Sequence, residues 1–440
     1  MATEVTPQIG ISSPSLPEVH ASVRLGGPLW RRMLGFLGPG FLIAVGYMDP
    51  GNWATDIAGG SRYGYTLLSV IMLSNLMAVL LQSLSLKLGI ATERDLAQLC
   101  RETTGKWGST ALWLLAEIAI AACDLAEVIG SAIALNLLFH IPLMGGVIIT
   151  SLDVLLILLL QRWGFRKIEA VVIGLIVAIV ALFGIQLVLS RPEFGLALKN
   201  MFVPSPQIVT NPGMLFIAIG ILGATVMPHN LYLHSALAQT RKYERTPAGK
   251  REAIRLANID SALALTLALF VNAAILMVAA AVFHRSGHYE VAAIEDAYKL
   301  LSPLVGATFA STLFAVALLA SGQNSSITGT LAGQVVMEGF VQLTVKPWLR
   351  RLITRGIAIA PTVVVVALWG EHGTEKLLLL SQVILSLQLS FAVVPLVIFT
   401  SSQKRMGEFV NAPWLKGLAW MTAVLIAGLN GWFLVLMGKQ

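Results

Sequence analysis

Apolar residues in this chain come in long, nearly unbroken runs, and the polar residues collect in short segments between them. About eleven such runs lie at roughly 34–58, 64–88, 110–139, 143–160, 167–189, 212–239, 257–283, 304–335, 354–370, 376–400 and 415–437. Most are long enough to cross a hydrocarbon core of roughly 30 Å at about 1.5 Å of helix rise per residue. None shows the ten-residue alternation of a membrane β-barrel strand, so all are predicted to be helices. The predicted fold class is an all-α integral membrane protein of about eleven transmembrane helices. Residues 1–27, polar and carrying Pro, Ser and Glu, read as a disordered cytoplasmic tail. Residues 28–440 read as a single transmembrane domain.

The polar segments test that count. With the N-terminus in the cytoplasm and the runs alternating, most of the 30 Lys and Arg residues fall inside; only Arg62, Arg191, Lys199, Arg285, Lys299, Lys376 and Lys439 fall outside. This is the positive-inside bias, and one misplaced run would scramble it. It predicts a multi-pass cell-membrane protein with its N-terminus cytoplasmic and its C-terminus outside, in a bacterial inner membrane. Composition agrees. Hydrophobic residues make up 56% and charged residues 12%, about half the roughly 25% of soluble proteins, and mean hydropathy is +0.78. The net charge of +7 does not point to nucleic acid, because the basic residues sit in short loops and form no single face. Cys100 and Cys123 belong to no CxxC pair, which argues against a disulfide framework or a cysteine zinc site. No cleavable signal peptide is visible.

Two runs are interrupted by proline. The first reads Leu42-Ile-Ala-Val-Gly46-Tyr-Met-Asp49-Pro50-Gly51-Asn52; the sixth reads Gly220-Ile-Leu-Gly223-Ala224-Thr-Val-Met227-Pro228-His229-Asn230. Proline removes a helical hydrogen bond, at a cost of roughly 3 kcal/mol in a helix interior, and in lipid the freed carbonyl needs another partner. Matching x-Pro-x-Asn breaks in runs one and six point to an inverted repeat, with a substrate site at the midplane where the broken helices meet. The repeats would span about 34–189 and 212–400, with 415–437 as an extra helix. The competing reading is a pair of ordinary proline kinks.

The breaks carry chemistry. An unpaired carboxylate at the bilayer centre costs roughly 2.5–3.5 kcal/mol on the lenient insertion scale, so Asp49 should face the interior. Asn52 adds an amide oxygen, Met227 a thioether, and the Ala224 and Gly46 carbonyls are further donors. Hard ions such as Mg²⁺ and Ca²⁺ take oxygen alone, whereas a thioether favours transition metals. The set therefore suits Mn²⁺ and Fe²⁺, with Cd²⁺ as a mimic. Met227 as plain core packing is the alternative. Gln382, early in run ten, is a candidate for occasional ligation.

Titratable groups surround that set. His229 follows Pro228, and histidine titrates near neutrality; His234 reads as a structural hydrogen-bonding residue. Glu117 and Asp124, seven residues apart, share a helix face, with Glu127 nearby. Such a group describes a proton wire. The compatible alternative is acids held by salt bridges, with Arg350 and Arg351 as partners. Asn272 joins Asp153, Gln323 and Asn324 as interhelical polar glue.

With Asp49-Pro-Gly-Asn52 and Met227-Pro-His-Asn230 in view, the chain resembles the Nramp (natural resistance-associated macrophage protein) family of proton-coupled divalent metal transporters. Asp124-Leu-Ala-Glu127, Tyr232-Leu-His234-Ser-Ala, Leu319-Ala-Ser-Gly322, Trp348-Leu-Arg350-Arg351 and Leu380-Ser-Gln382-Val extend the resemblance over about 34–437. It implies a LeuT-like fold with metal held by Asp49, Asn52, Met227 and the Ala224 carbonyl, joined in some conformations by Gly46 and Gln382. Protons would pass by Asp49, His229, Glu117, Asp124, Glu127, Arg350 and Arg351. Metal ion and protons are cargo; no resident cofactor, nucleic acid or obligatory protein partner is expected beyond the lipid bilayer. Asp56, Asp153, Asn230 and Gln323-Asn324 look more like animal and plant members. The competing reading is a sodium-coupled symporter of a small organic substrate on the same architecture. An enzyme is not expected, because HExxH and a nucleophile elbow with partners are both absent.

Overall fold

In the computed structural model the described residues are 14–24, 27–150, 152, 164–291, 293–342, 347–369 and 371–437. They form a helical bundle with one two-residue parallel pairing, β1 (Val23–Arg24) on β2 (Arg241–Lys242). Seven helices of the described residues are long and apolar enough to cross a membrane, or eight if the pair Leu29–Gly46 and Pro50–Tyr63, bent by 53°, is one span. That is fewer than the eleven runs of the sequence. Leu143–Thr150 stops where the described residues stop, and Asp153 lies outside them. Ala310–Val341 interrupts its apolar surface with Ser321, Gln323, Asn324 and Gln334, and Pro347–Trp369 opens on Arg350 and Arg351.

Helix starts follow from local chemistry. Asp49, Asn211 and Thr246 each stand before a proline and accept a backbone N–H three residues on, at 2.9, 3.1 and 3.2 Å. The side-chain oxygen satisfies one orphan donor, and proline at the first helical position loses nothing. Asp95 caps the 44-residue helix Leu96–Phe139 through a reciprocal box with Gln98, the arrangement that satisfies two orphan donors at once. A break at Gly105 interrupts this helix.

The first run is broken twice. α1 (Leu29–Phe36) and α2 (Pro39–Gly46) meet at Gly38, where φ is 145°, and α3 (Pro50–Tyr63) follows. Asp260 accepts from Gly38 N (3.1 Å) and Gly40 N (2.6 Å), which caps α2. The carbonyls that close α1 go to two arginines: Arg166 donates to the Leu34 and Leu37 carbonyls, and Arg241 to those of Gly35 and Leu37. Both arginines pair with Glu169, at 2.8 and 2.6 Å.

The segment read as a disordered tail is corrected over 14–24. Ser15 Oγ donates to Asp95 Oδ2 (2.6 Å), Gln334 Nε2 donates to Glu18 (2.9 Å), and Leu16 is buried. Its anchors are single polar atoms, Leu16, Val23 and the two-residue pairing with Arg241–Lys242, too few to register in hydropathy. Residues 1–13 lie outside the described residues.

Candidate metal site

The two proline breaks come together in the middle of the bundle. A Cβ built on Gly46 would stand 3.1 Å from Met227 Sδ and against the Asn230 amide. The sixth run is split into Pro212–Thr225 and Pro228–Leu237, with Met227 as the residue before the second half. In a continuous helix, the carbonyls of Gly46 and Ala224 would accept from the N–H four residues on. Those residues are Pro50 and Pro228, which have none. The same two prolines that end the helices therefore free these two oxygens.

Asp49 is wholly buried. Its Oδ1 accepts from Asn52 N (2.9 Å), and Cys123 Sγ lies 3.9 Å from Oδ2. Asn52 Nδ2 donates to the Tyr47 carbonyl, which also accepts from Asn272 Nδ2 (2.8 Å). Asn52 Oδ1 is buried with no protein partner. The Met48 carbonyl accepts from Trp53 Nε1 (3.2 Å) and from Ser321 Oγ. Met227 packs with Ala119, Cys123 and Leu385. Gln382 Nε2 donates to Ser381 Oγ (2.8 Å), its Oε1 has no partner, and its amide lies against Gly51. Asp49, Asn52, Ala224, Met227 and Gln382 are each 1% exposed or less, so the donors are shut off from solvent. An unpartnered buried acceptor costs about 1–3 kcal/mol, and Asn52 and Gln382 each present one.

The titratable residues separate. Asp124 and Glu127 are buried; Glu127 Oε2 accepts from Ser326 Oγ (3.1 Å), and its Oε1 lies 3.7 Å from Cys123 Sγ. His229 is buried with Nδ1 unpartnered. Glu117 is only half-buried and accepts from Trp113 Nε1 (3.1 Å) of its own helix. The expectation of three acids on one buried face is corrected to two, because the helix leaves the protein interior at that turn. His234 Nδ1 bonds Gln82 Oε1 (2.9 Å), and Gln82 Nε2 donates to Tyr47 Oη (2.8 Å), which ties the histidine to the first break. The side chains of Arg350 and Arg351 lie outside the described residues.

The family model for natural resistance-associated macrophage protein-like (Nramp) proteins matches residues 40–436. This chain belongs to the Nramp family. Among Nramp relatives it is similar to, a divalent metal cation transporter MntH of a Nostoc species is 60% identical over 96% of both chains. One of Listeria innocua is 61% identical, with 95% of this chain and 94% of that one covered. The manganese transporter of Eremococcus coleocola, a solved structure, superposes with a TM-score of 0.88 at 45% identity, covering 95% of this chain and 90% of that one. The nucleobase-cation-symport transporter Mhp1, 14% identical, superposes at 0.64 over 97% of this chain and 94% of that one, which shows the shared LeuT-like fold. These Nramp relatives are transporters and not enzymes, and this chain, with its several apolar helices, is a multi-pass membrane protein.

Two groups near the breaks carry no site role in the sequence reading. Cys123 was weighed only for CxxC pairing, yet it stands one turn from Glu127 on the same helix and touches Asp49. Asp56 is buried with Oδ2 unpartnered, two turns along α3 from Asp49. Its spacing of seven from Asp49 was the available signal.

Proposed function

We propose that this chain imports divalent transition-metal ions, Mn²⁺ and Fe²⁺ with Cd²⁺ carried as a mimic, together with protons and by alternating access. The observation that carries the reading is the donor set at the breaks. A carboxylate (Asp49), an unpartnered amide oxygen (Asn52), a thioether (Met227) and two proline-freed carbonyls (Gly46, Ala224) are all buried at the two breaks, which approach each other at Gly46 and Met227. Oxygen donors alone would serve Mg²⁺ or Ca²⁺; the sulfur tilts the set to softer ions. A single carboxylate keeps the ion releasable. Gln382 Oε1 supplies a further oxygen, and the names of the relatives quoted above support the same substrate class.

Asp49, His229, Asp124 and Glu127 form the proton path in this reading, with Glu117, Arg350 and Arg351 toward its exit. His234 and Asn272 hold the first break in shape. The repeats at about 34–189 and 212–400 move against each other around the site, and the helix 415–437 is an addition that packs on the second repeat through Asn430 and Phe433. The N-terminus faces the cytoplasm of a bacterial inner membrane and the C-terminus faces out, as the basic loops require.

The test is Mn²⁺ uptake into sealed proteoliposomes, with and without an inward proton gradient, for wild type and Asp49→Ala. Uptake that rises with the gradient and is lost in the variant is the expected result. A folded protein that takes up no Mn²⁺ under either condition overturns the reading and turns attention to sodium and an organic substrate.

A further inference from the structure

The Cys123 sulfur has no part in the donor set just described, although it lies closer to it than most of the bundle. Cys123 is buried, its Sγ is 3.9 Å from Asp49 Oδ2 and 3.7 Å from Glu127 Oε1, and its side chain packs against Met227. It is a free cysteine, as is Cys100. Asn52 Oδ1, three residues from Asp49, and Gln382 Oε1, whose amide lies against Gly51, are buried acceptors with no protein partner at the same break.

We propose that Cys123 is a specificity-determining residue of this site, meeting thiophilic ions such as Cd²⁺ with a second sulfur donor. The inference rests on the metal-transport reading above. The distance supports it. For zinc, thiolate and carboxylate bonds of about 2.3 and 2.1 Å together span about 4.4 Å, and the longer bonds of a larger ion such as Cd²⁺ span more. The 3.9 Å between Cys123 Sγ and Asp49 Oδ2 is therefore short enough for one ion to bridge them. Binding there exchanges the S–H bond for an S–metal bond, and the Glu127 carboxylate beside the same sulfur accepts the released proton. With Met227, the site then offers two sulfurs to a soft ion. Mn²⁺, which prefers carboxylate, carbonyl and water, gains little from the second.

The test uses the full chain in proteoliposomes and in detergent. Cys123→Ser is compared with wild type for half-saturating Cd²⁺ and Mn²⁺ in separate uptake assays, with Cys123→Ala in its place if the serine variant does not fold. The Cd²⁺ value is expected to rise about tenfold more than the Mn²⁺ value. The Cd²⁺-loaded wild type is expected to show the ultraviolet sulfur-to-cadmium charge-transfer band, which Cys123→Ser lacks and Cys100→Ser keeps. Equal shifts for both metals, or a band that survives Cys123→Ser, overturns the proposal. Absence of Mn²⁺ uptake by the folded wild type in the same vesicles would instead refute the metal-transport reading, independently of cysteine.

Discussion

Both broken helices press on the same stretch of the helix Glu371–Thr400, and two glycines make that possible in different ways. A methyl group on Gly223 would collide with the backbone carbonyl of Gln382 and stand 2.7 Å from Ser386 N. A methyl group on Gly51 would collide only with the side-chain amide of Gln382. Backbone cannot swing aside, whereas a glutamine can change rotamer. Overpacking of this kind costs about 1–3 kcal/mol when side chains and backbone give a little, and Gly223→Ala is expected at the upper end. It more than cancels the roughly 1 kcal/mol that alanine gains over glycine inside a helix. At the soluble-domain average of about 2.1 cal/mol/K per residue, 3 kcal/mol lowers the melting midpoint of this chain by roughly 3 °C. The assay is thermal unfolding of the purified protein with Mn²⁺ uptake alongside, for Gly223→Ala, Gly51→Ala and each combined with Gln382→Ala. Truncating Gln382 makes room beside Gly51 and is expected to rescue Gly51→Ala. It removes nothing from the atoms that block Gly223 and should leave Gly223→Ala as damaged as before. Gly428, with nothing near it, is the neutral control. Rescue of Gly223→Ala by Gln382→Ala, or a Gly223→Ala protein that melts and transports like wild type, refutes the reasoning.

Two more outcomes follow from the polar contacts at the end of the bundle that holds Asp95 and Arg241. Arg241→Met leaves Glu169 with Arg166 alone and should cost less than the roughly 3–5 kcal/mol of a buried charge left without any partner, whereas Arg241→Met with Glu169→Met should recover most of it; chemical unfolding of the single and double variants measures the difference. At Asp95, burial pushes the carboxyl up to about 6, against the pull of Ser15 and the Gln98 and Ala97 N–H groups. The folded state then holds a proton that the unfolded chain has given up. The contribution of Asp95 is full below about pH 4 and is lost as pH rises through 6. Asp95→Asn should flatten the change in melting midpoint between pH 4 and pH 7, and a profile as steep as wild type argues against that assignment.

The sequence carried the parts of this molecule that depend on a single strong signal. Hydropathy gives the long helices, and the two Pro-containing motifs give the breaks and the residues around them. The rest depended on contacts between distant segments. Glu117 shares its face with Asp124 by spacing alone, but where the helix leaves the core is a matter of packing, and this leaves Glu117 half-buried. Residues 14–24 are polar enough to read as a tail, and only the position of Asp95 and Gln334 in space reveals what holds them. Cys123 draws no notice as a lone thiol in a helix; its meaning comes from Asp49, 74 positions earlier in the chain.

The first break also bears on which cations are turned away. A peptide oxygen has two lone pairs. At Tyr47 both are taken, by the amides of Asn52 and Asn272; at Met48 both are taken, by the indole of Trp53 and the hydroxyl of Ser321. A sodium ion seeks a cage of bare carbonyls in such an unwound turn, and here the two at its centre are already spoken for. On the proposed reading an arriving ion meets the Asp49 carboxylate, the Asn52 amide oxygen, the Met227 sulfur and the carbonyls of Gly46 and Ala224, while those of Tyr47 and Met48 are withheld, so the break selects by donor chemistry as well as by size and charge.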